Sequence, residues 1–227
     1  MTPKIIKAIA CFSLLVGLGA VLPVRAQNSQ TQYPQTMAPL DQYLMDRDAE
    51  IALARSAAPA SISRDAEVLV LGPKGYETAV KGRNGFVCLV DRSWTDTEDN
   101  DEFWNPKRRG PMCLNPEAAR SALPNTIMRA KLALAGRSKA EMFEALKAAY
   151  DKKELPEIET GAMIYMMSKE GHLSDQDGHW HPHLMFFLPA NEAEALGTAV
   201  NTADRVTVLT IRVAKWSDGT PDSAQGH

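Results

Sequence analysis

The 227-residue chain carries 25 basic and 28 acidic residues, a net charge of −3, with 44% hydrophobic and 7% aromatic residues. Its length suits one domain with a sizeable core, and its acidic balance excludes the basic surface on which nucleic-acid binding depends. No internal repeat interrupts this single-domain picture.

Lys4 and Lys7 precede an apolar run over residues 9–24, and Val24-Arg25-Ala26 offers small or modest side chains where a signal peptidase looks for them. This is the layout of a secretory signal peptide cleaved after Ala26. The competing form is an uncleaved anchor, since residues 5–24 are about as long as a bilayer-spanning helix. Pro23 and the small-residue exit favour cleavage. Loss of Lys4, Lys7 and Arg25 leaves 22 basic against 28 acidic residues, a net charge of −6 for a chain beginning at Gln27. The expected location is the periplasm or the exterior, with no stable membrane span after cleavage. Cys11 leaves with the signal, so Cys88 and Cys113 remain as an even pair in an oxidising compartment and are expected to form a disulfide.

Residues 27–39 are polar and proline-containing and read as a flexible linker; the folded domain is expected over residues 40–216, with a polar tail over 217–227. Leu40, Leu44, Ile51 and Ala54 fall near a helical period and predict an amphipathic helix over 41–55. Residues 67–71 form an apolar, β-branched run closed by Gly72-Pro73. Residues 76–81 and 86–91 flank Gly82-Arg83-Asn84-Gly85, which together predict a strand followed by a β-hairpin.

Residues 92–112 are expected to lack regular structure. A loop of that length inside a domain is functional or disordered, and Trp94, Phe103 and Trp104 argue against disorder. The choice is between a lid and a packed surface loop. With Trp180, the tryptophans Trp94 and Trp104 are the candidate lining of a ligand pocket. Residues 96–102 are acidic but lack the turn glycine and ligand spacing of a calcium loop. Lys107-Arg108-Arg109 reads as a solvated surface.

Asn115-Pro116 starts a helix through a capping side chain and a proline in the first helical position. Leu123-Pro124-Asn125 is expected to break that helix and cap the next, which Gly136 stops. Ser138 and Glu141 form a capping box for a third helix carrying Met142, Phe143, Leu146 and Tyr150. Strands follow over 162–167, 182–188 and 205–213, with a short helix over 191–200. The nearly continuous apolar character of these strands suggests cover on both faces or packing under helices. The fold class is therefore α+β: a mainly antiparallel sheet of about five to six strands with helices packed on it, in a single domain.

One concentration of reactive side chains stands out. His172, His179, His181 and His183 lie within twelve residues, and alternation on an extended chain would put His179, His181 and His183 on one face. Neutral imidazoles suit zinc or copper, with Asp177, Asp175 or His172 as the extra ligands. Three ligands and a water would make a catalytic zinc site. Pro182 works against a regular row, because it cannot donate to a sheet and restricts His181; a two-histidine platform at a strand entrance is the sharper expectation. No glutamate follows His181 at the three-to-five-residue spacing of the cupin jelly rolls. Met163, Met166, Met167 and Met185 add thioethers that suit copper but more often fill a core. No nucleophile elbow, phosphate loop or dinucleotide fingerprint is present.

The functional expectation is an exported small-ligand-binding protein whose pocket is floored by the histidine segment and covered by the 92–112 loop, with a divalent metal held by His179, His181 and His183. The alternatives are a non-catalytic envelope or interaction protein with structural histidines, and a metal-assisted hydrolase in which bound water is the nucleophile.

Overall fold

The run of Val68, Leu69, Val70 and Leu71 becomes strand β1 (Glu67–Gly72), with all four side chains buried. It turns over Pro73 and Lys74 and returns antiparallel as β2 (Gly75–Val80), with Gly75 at a φ of 119°. The hairpin therefore lies one strand earlier than the sequence suggests. Residues 82–85 instead cross the start of β1. A Cβ on Gly82 would stand 2.2 Å from the Glu67 nitrogen, so the glycine serves a close approach. The chain then enters β3 (Val87–Asp91), parallel to β1 on the side away from β2.

The computed structural model describes residues 33–176, 178, 180–189 and 205–223, all within one compact unit. The expected signal peptide, linker residues 27–32, the helix expected over 191–200, tail residues 224–227, Asp177 and His179 lie outside the described residues. Strands β4 (Gly110–Leu114), β5 (Met163–Met166), β6 (His183–Pro189) and β7 (Val206–Arg212) continue the sheet, all antiparallel to their neighbours. The order is β2-β1-β3-β4-β5-β6-β7. The fold is α+β as expected, with seven strands where five to six were anticipated. The added strand is β4, whose first three residues belong to the stretch assigned to the loop.

Helices cover the two faces unequally. Helix α1 (Arg47–Arg55) packs Leu53 and Ala54 with Val68, Cys88, Val90 and Cys113 on one face. Asp46 caps it by accepting from the Asp48 and Ala49 nitrogens, so the helix starts later than the apolar spacing implied, and residues 40–42 make only one 3-10 turn. A four-residue helix, α2 (Ala60–Ser63), follows. On the opposite face, Leu69, Leu89, Met112, Leu114, Ile164 and Met166 pack with Ala118 of α3 (Pro116–Ser121) and Leu123 of α4 (Leu123–Leu134). Asn115 caps α3 as expected. Asn125, expected to cap α4, lies inside its first turn, because Pro124 is tolerated there without a break. Helix α5 (Lys139–Asp151) opens with the Ser138–Glu141 capping box.

Cys88 and Cys113 face each other in the β3–β4 register and form a disulfide with a Cα separation of 4.0 Å. Closing a loop of 25 residues contributes about 3 to 4 kcal/mol in the chain-entropy account. Among the described residues β7 is the last strand of the sheet, and its Val208, Leu209 and Ile211 are 37, 41 and 50% exposed, so this apolar run is not covered on both faces. No helix among the described residues is long and apolar enough to cross a membrane.

The 92–109 connection is held from beneath. Trp94, Phe103 and Trp104 are buried with Tyr43, Leu71, Ala130, Met142 and Phe143, which makes the stretch a packed loop. Arg92, fully buried, donates through Nη2 to Glu50 Oε1 at 2.9 Å, through Nε to the Tyr43 carbonyl at 2.8 Å and through Nη1 to the Val90 carbonyl at 2.5 Å. Glu50 Oε1 also accepts from the Leu71 nitrogen. Removing one partner of a buried ion pair strands the other charge in a low-dielectric interior. Glu50→Ala is therefore expected to lower stability by about 3 to 5 kcal/mol in urea denaturation, whereas Glu77→Ala, which breaks the exposed pair with Arg47, is expected to change it by less than about 1 kcal/mol.

Candidate functional site

The histidine segment divides into two separate groups. His172 Nε2 lies 2.9 Å from Asp175 Oδ1, and Asp175 Oδ2 also accepts from Lys107 Nζ and Tyr33 Oη, joining these residues to the 92–109 loop. Burial would raise the Asp175 carboxyl, but hydrogen bonds from His172, Lys107 and Asn105 outweigh it and hold it below the ordinary carboxylate range. His181 lies elsewhere, at the entrance to β6. Its Nδ1 is 3.0 Å from Asp222 Oδ2, which also accepts from Arg212 Nε and Nη2. Asp222 is buried, so this part of the stretch read as a polar tail returns onto the sheet.

His183 is the first residue of β6, and its Nδ1 contacts the His181 carbonyl at 2.7 Å. Burial lowers its pKa and outweighs the raising effect of the hydrogen bond to the His181 carbonyl. Trp180, with a φ of 55° and 39% exposed, brings its ring to 4.6 Å from that of His183 and 5.9 Å from that of His181. Trp94 and Trp104, by contrast, are buried in the core. Among the described residues no three His, Cys, Asp or Glu side chains come together in a way that could hold a metal ion. His179 and Asp177, two of the expected ligands, lie outside those residues.

A second arrangement is better formed. Side chains of β4 to β7 alternate, and Met112, Ile164, Met166, Met185, Phe187 and Val206 all emerge on the face that carries α3 and α4. They floor a cleft of about 490 Å³. Ala122, Asn125, Thr126 and Arg129 wall it from α4 and the residue before it, and Tyr150 from α5. The other wall is polar and comes from the end of β3 and the packed loop: Asp91, Thr95, Asp96, Thr97 and Arg108. The apolar half of the histidine segment thus supplies part of the floor, while the described imidazoles of His172, His181 and His183 stand outside the lining.

The polar wall is a small ionic lattice. Arg108 donates from Nη1 to Asp96 Oδ2 at 2.5 Å and from Nη2 to Asp91 Oδ2 at 3.4 Å, and Thr95 Oγ1 donates to Asp91 Oδ2 at 2.7 Å. Arg129, 2% exposed, donates to the Trp94 and Asp96 carbonyls and, through Nε, to Asn125 Oδ1. Its guanidinium sits 4.8 Å from the centre of the Phe143 ring. The Asp91 carboxylate occupies the place of a missing side chain on its cross-strand partner: a Cβ on Gly110 would fall 1.8 Å from Asp91 Oδ1. Neither aspartate stood out in the sequence, because each is ordinary in a polar loop until the sheet places Asp91 across from a glycine.

Asp96 is raised to about 6, chiefly because burial penalises its charged form and secondarily because Asp91 lies near; Arg108 and Arg129 pull the other way and lose. A carboxyl whose folded pKa exceeds its unfolded value binds more protons when folded, so its ionisation destabilises the fold as pH rises from about 4 through 6. Asp96→Asn is accordingly expected to raise the melting temperature at pH 7.5 and to give little or no rise at pH 4, measured by differential scanning calorimetry.

Compared with known protein families, curated proteins and solved structures, the chain matches none.

Proposed function

We propose that this is an exported protein that binds a small ligand in the cleft between the sheet and helices α3 to α5. The supporting observation is the cleft itself: about 490 Å³, floored by apolar side chains from β4 to β7 and closed on one side by an ion-paired polar wall. Binding sites for small molecules have this construction, a mostly apolar concavity with a few convergent polar groups that orient the ligand. Asp96 adds weight. Its ionised form lowers the stability of the empty fold at neutral pH, and residues of that kind cluster at functional sites. Export is supported by the disulfide together with the amino-terminal pattern of lysines, apolar run and small-residue exit.

The test uses the methionines of the floor. With the protein carrying ¹³C-methyl methionine, compounds from a library of amphipathic fragments are expected to shift the Met112, Met166 and Met185 methyl signals, and Met185→Trp, which fills the cleft, is expected to abolish those shifts. Shifts confined to methionines outside the floor would overturn the reading.

A second reading concerns the two-histidine platform, and one observation favours it. His181 and His183 each engage an acceptor through Nδ1, Asp222 in one case and a backbone carbonyl in the other. Metal-ligating histidines are oriented in this way, with Nε2 left to bind. On this reading zinc or copper is held by His181 and His183 together with His179. Untagged protein is then expected to retain close to one equivalent of metal by mass-spectrometric metal analysis, and both His181→Ala and His183→Ala are expected to lose it. Metal well below one equivalent, unchanged in both variants, would leave the imidazoles as structural groups.

A further inference from the structure

The cleft also discriminates between kinds of ligand head group, through its supply of hydrogen-bond donors and acceptors. Its cations are committed. Arg108 gives Nη1 to Asp96 Oδ2 and the Leu173 carbonyl and Nη2 to Asp91 Oδ2, and its Nε is buried. Arg129 gives Nε to Asn125 and Nη1 to the Trp94 and Asp96 carbonyls. The carboxylates are not committed to the same degree. Asp91 and Asp96 are each held through Oδ2, and the two Oδ1 atoms meet no donor among the described residues.

The two spare oxygens differ in reach. Asp91 Oδ1 is buried against Gly110, so it acts on the cleft only through its field. The Asp96 side chain retains 16% exposure and lines the cleft directly. An anionic head would therefore face acceptors with spare capacity and guanidinium donors that are engaged or, for Arg108 Nε, buried. A cationic donor would find a carboxylate whose charge burial has left undercompensated, and charge-assisted hydrogen bonds are the stronger kind. Along the floor, Met112, Met166 and Met185 present flexible, polarisable thioethers that adapt to an alkyl chain or a ring.

We infer that the cleft takes an amphipathic organic amine, with its apolar body over the methionine-rich floor and its ammonium group donating to Asp96. This rests on the cleft being a ligand site, so the test separates the two. Octylamine, octanol and octanoate share one apolar body and differ in the head. Each is titrated at pH 7.5 into protein with ¹³C-methyl methionine, with affinities read from the Met112, Met166 and Met185 signals. Octylamine is expected to bind at least tenfold more tightly than octanoate, with octanol between them, and Asp96→Asn is expected to remove the preference. Octylamine stays protonated from pH 7.5 to 5 while Asp96, near 6, gains a proton in the presence of Asp91, Arg108 and Arg129. Its affinity for the unmodified protein is therefore expected to fall about tenfold across that range, which decides the matter even if Asp96→Asn does not fold. Octanoate binding as tightly as octylamine, or octylamine binding independently of pH, would refute the amine and leave the cleft as a site for another class. If none of the three moves the floor methionines, the cleft reading itself fails.

Discussion

The buried pair between Glu50 and Arg92 is the constraint on which the rest of this fold depends. Arg92 follows the last residue of β3, and its guanidinium reaches α1, the turn at Tyr43 and its own strand at once. Taking two charges out of water is expensive, and it is tolerated here because nearly every donor of the guanidinium meets an acceptor. The consequence is positional. With Arg92 fixed, the chain on either side of it is fixed, and Asp91, Thr95 and Asp96 are delivered to the edge of the cleft from a segment that has little regular structure of its own. Trp94 and the Phe103–Trp104 pair then seat the loop from below, so that what is irregular in secondary structure is rigid in packing.

That rigidity explains how a polar wall can stand beside an apolar floor without closing on it. Arg108 is held by two carboxylates, and the carboxylates are held by Arg108, Thr95 and the neighbouring strand. The Asp96 carboxyl is thus held where burial disfavours its charged form, with Arg108 as its ion-pair partner.

Sequence patterns revealed elements whose signals are local. Asn115-Pro116 and the Ser138–Glu141 box mark helix starts through side chains that bond within their own turn, and both appear where expected. The paired cysteines were legible by count and compartment, and the sheet places them opposite each other. Where the determining contact is distant, local pattern misled. Gly82 looked like a turn glycine but makes room for a chain crossing at Glu67, and residues 110–112 looked like loop because β4 is recognisable only beside β3 and β5. The same applies to the site. Four histidines close in sequence drew attention, yet His172 pairs toward Asp175 and the loop, while His181 and His183 gather around Asp222 and Trp180. The polar wall of the cleft draws on residues from 91 to 129, and its floor on residues from 112 to 206. No window of sequence contains both.

The facing of Asp91 and Gly110 carries a consequence for how this protein can vary through descent. The carboxylate fills the volume that any side chain at 110 would need, so even alanine there would evict it. The two positions are coupled: a side chain at 110 would require the Asp91 carboxylate to turn away from its present place. With it goes one anchor of Arg108, and hence the ionic lattice along that side of the cleft. The glycine at 110 is therefore what lets the carboxylate of Asp91 stand where Arg108 reaches it.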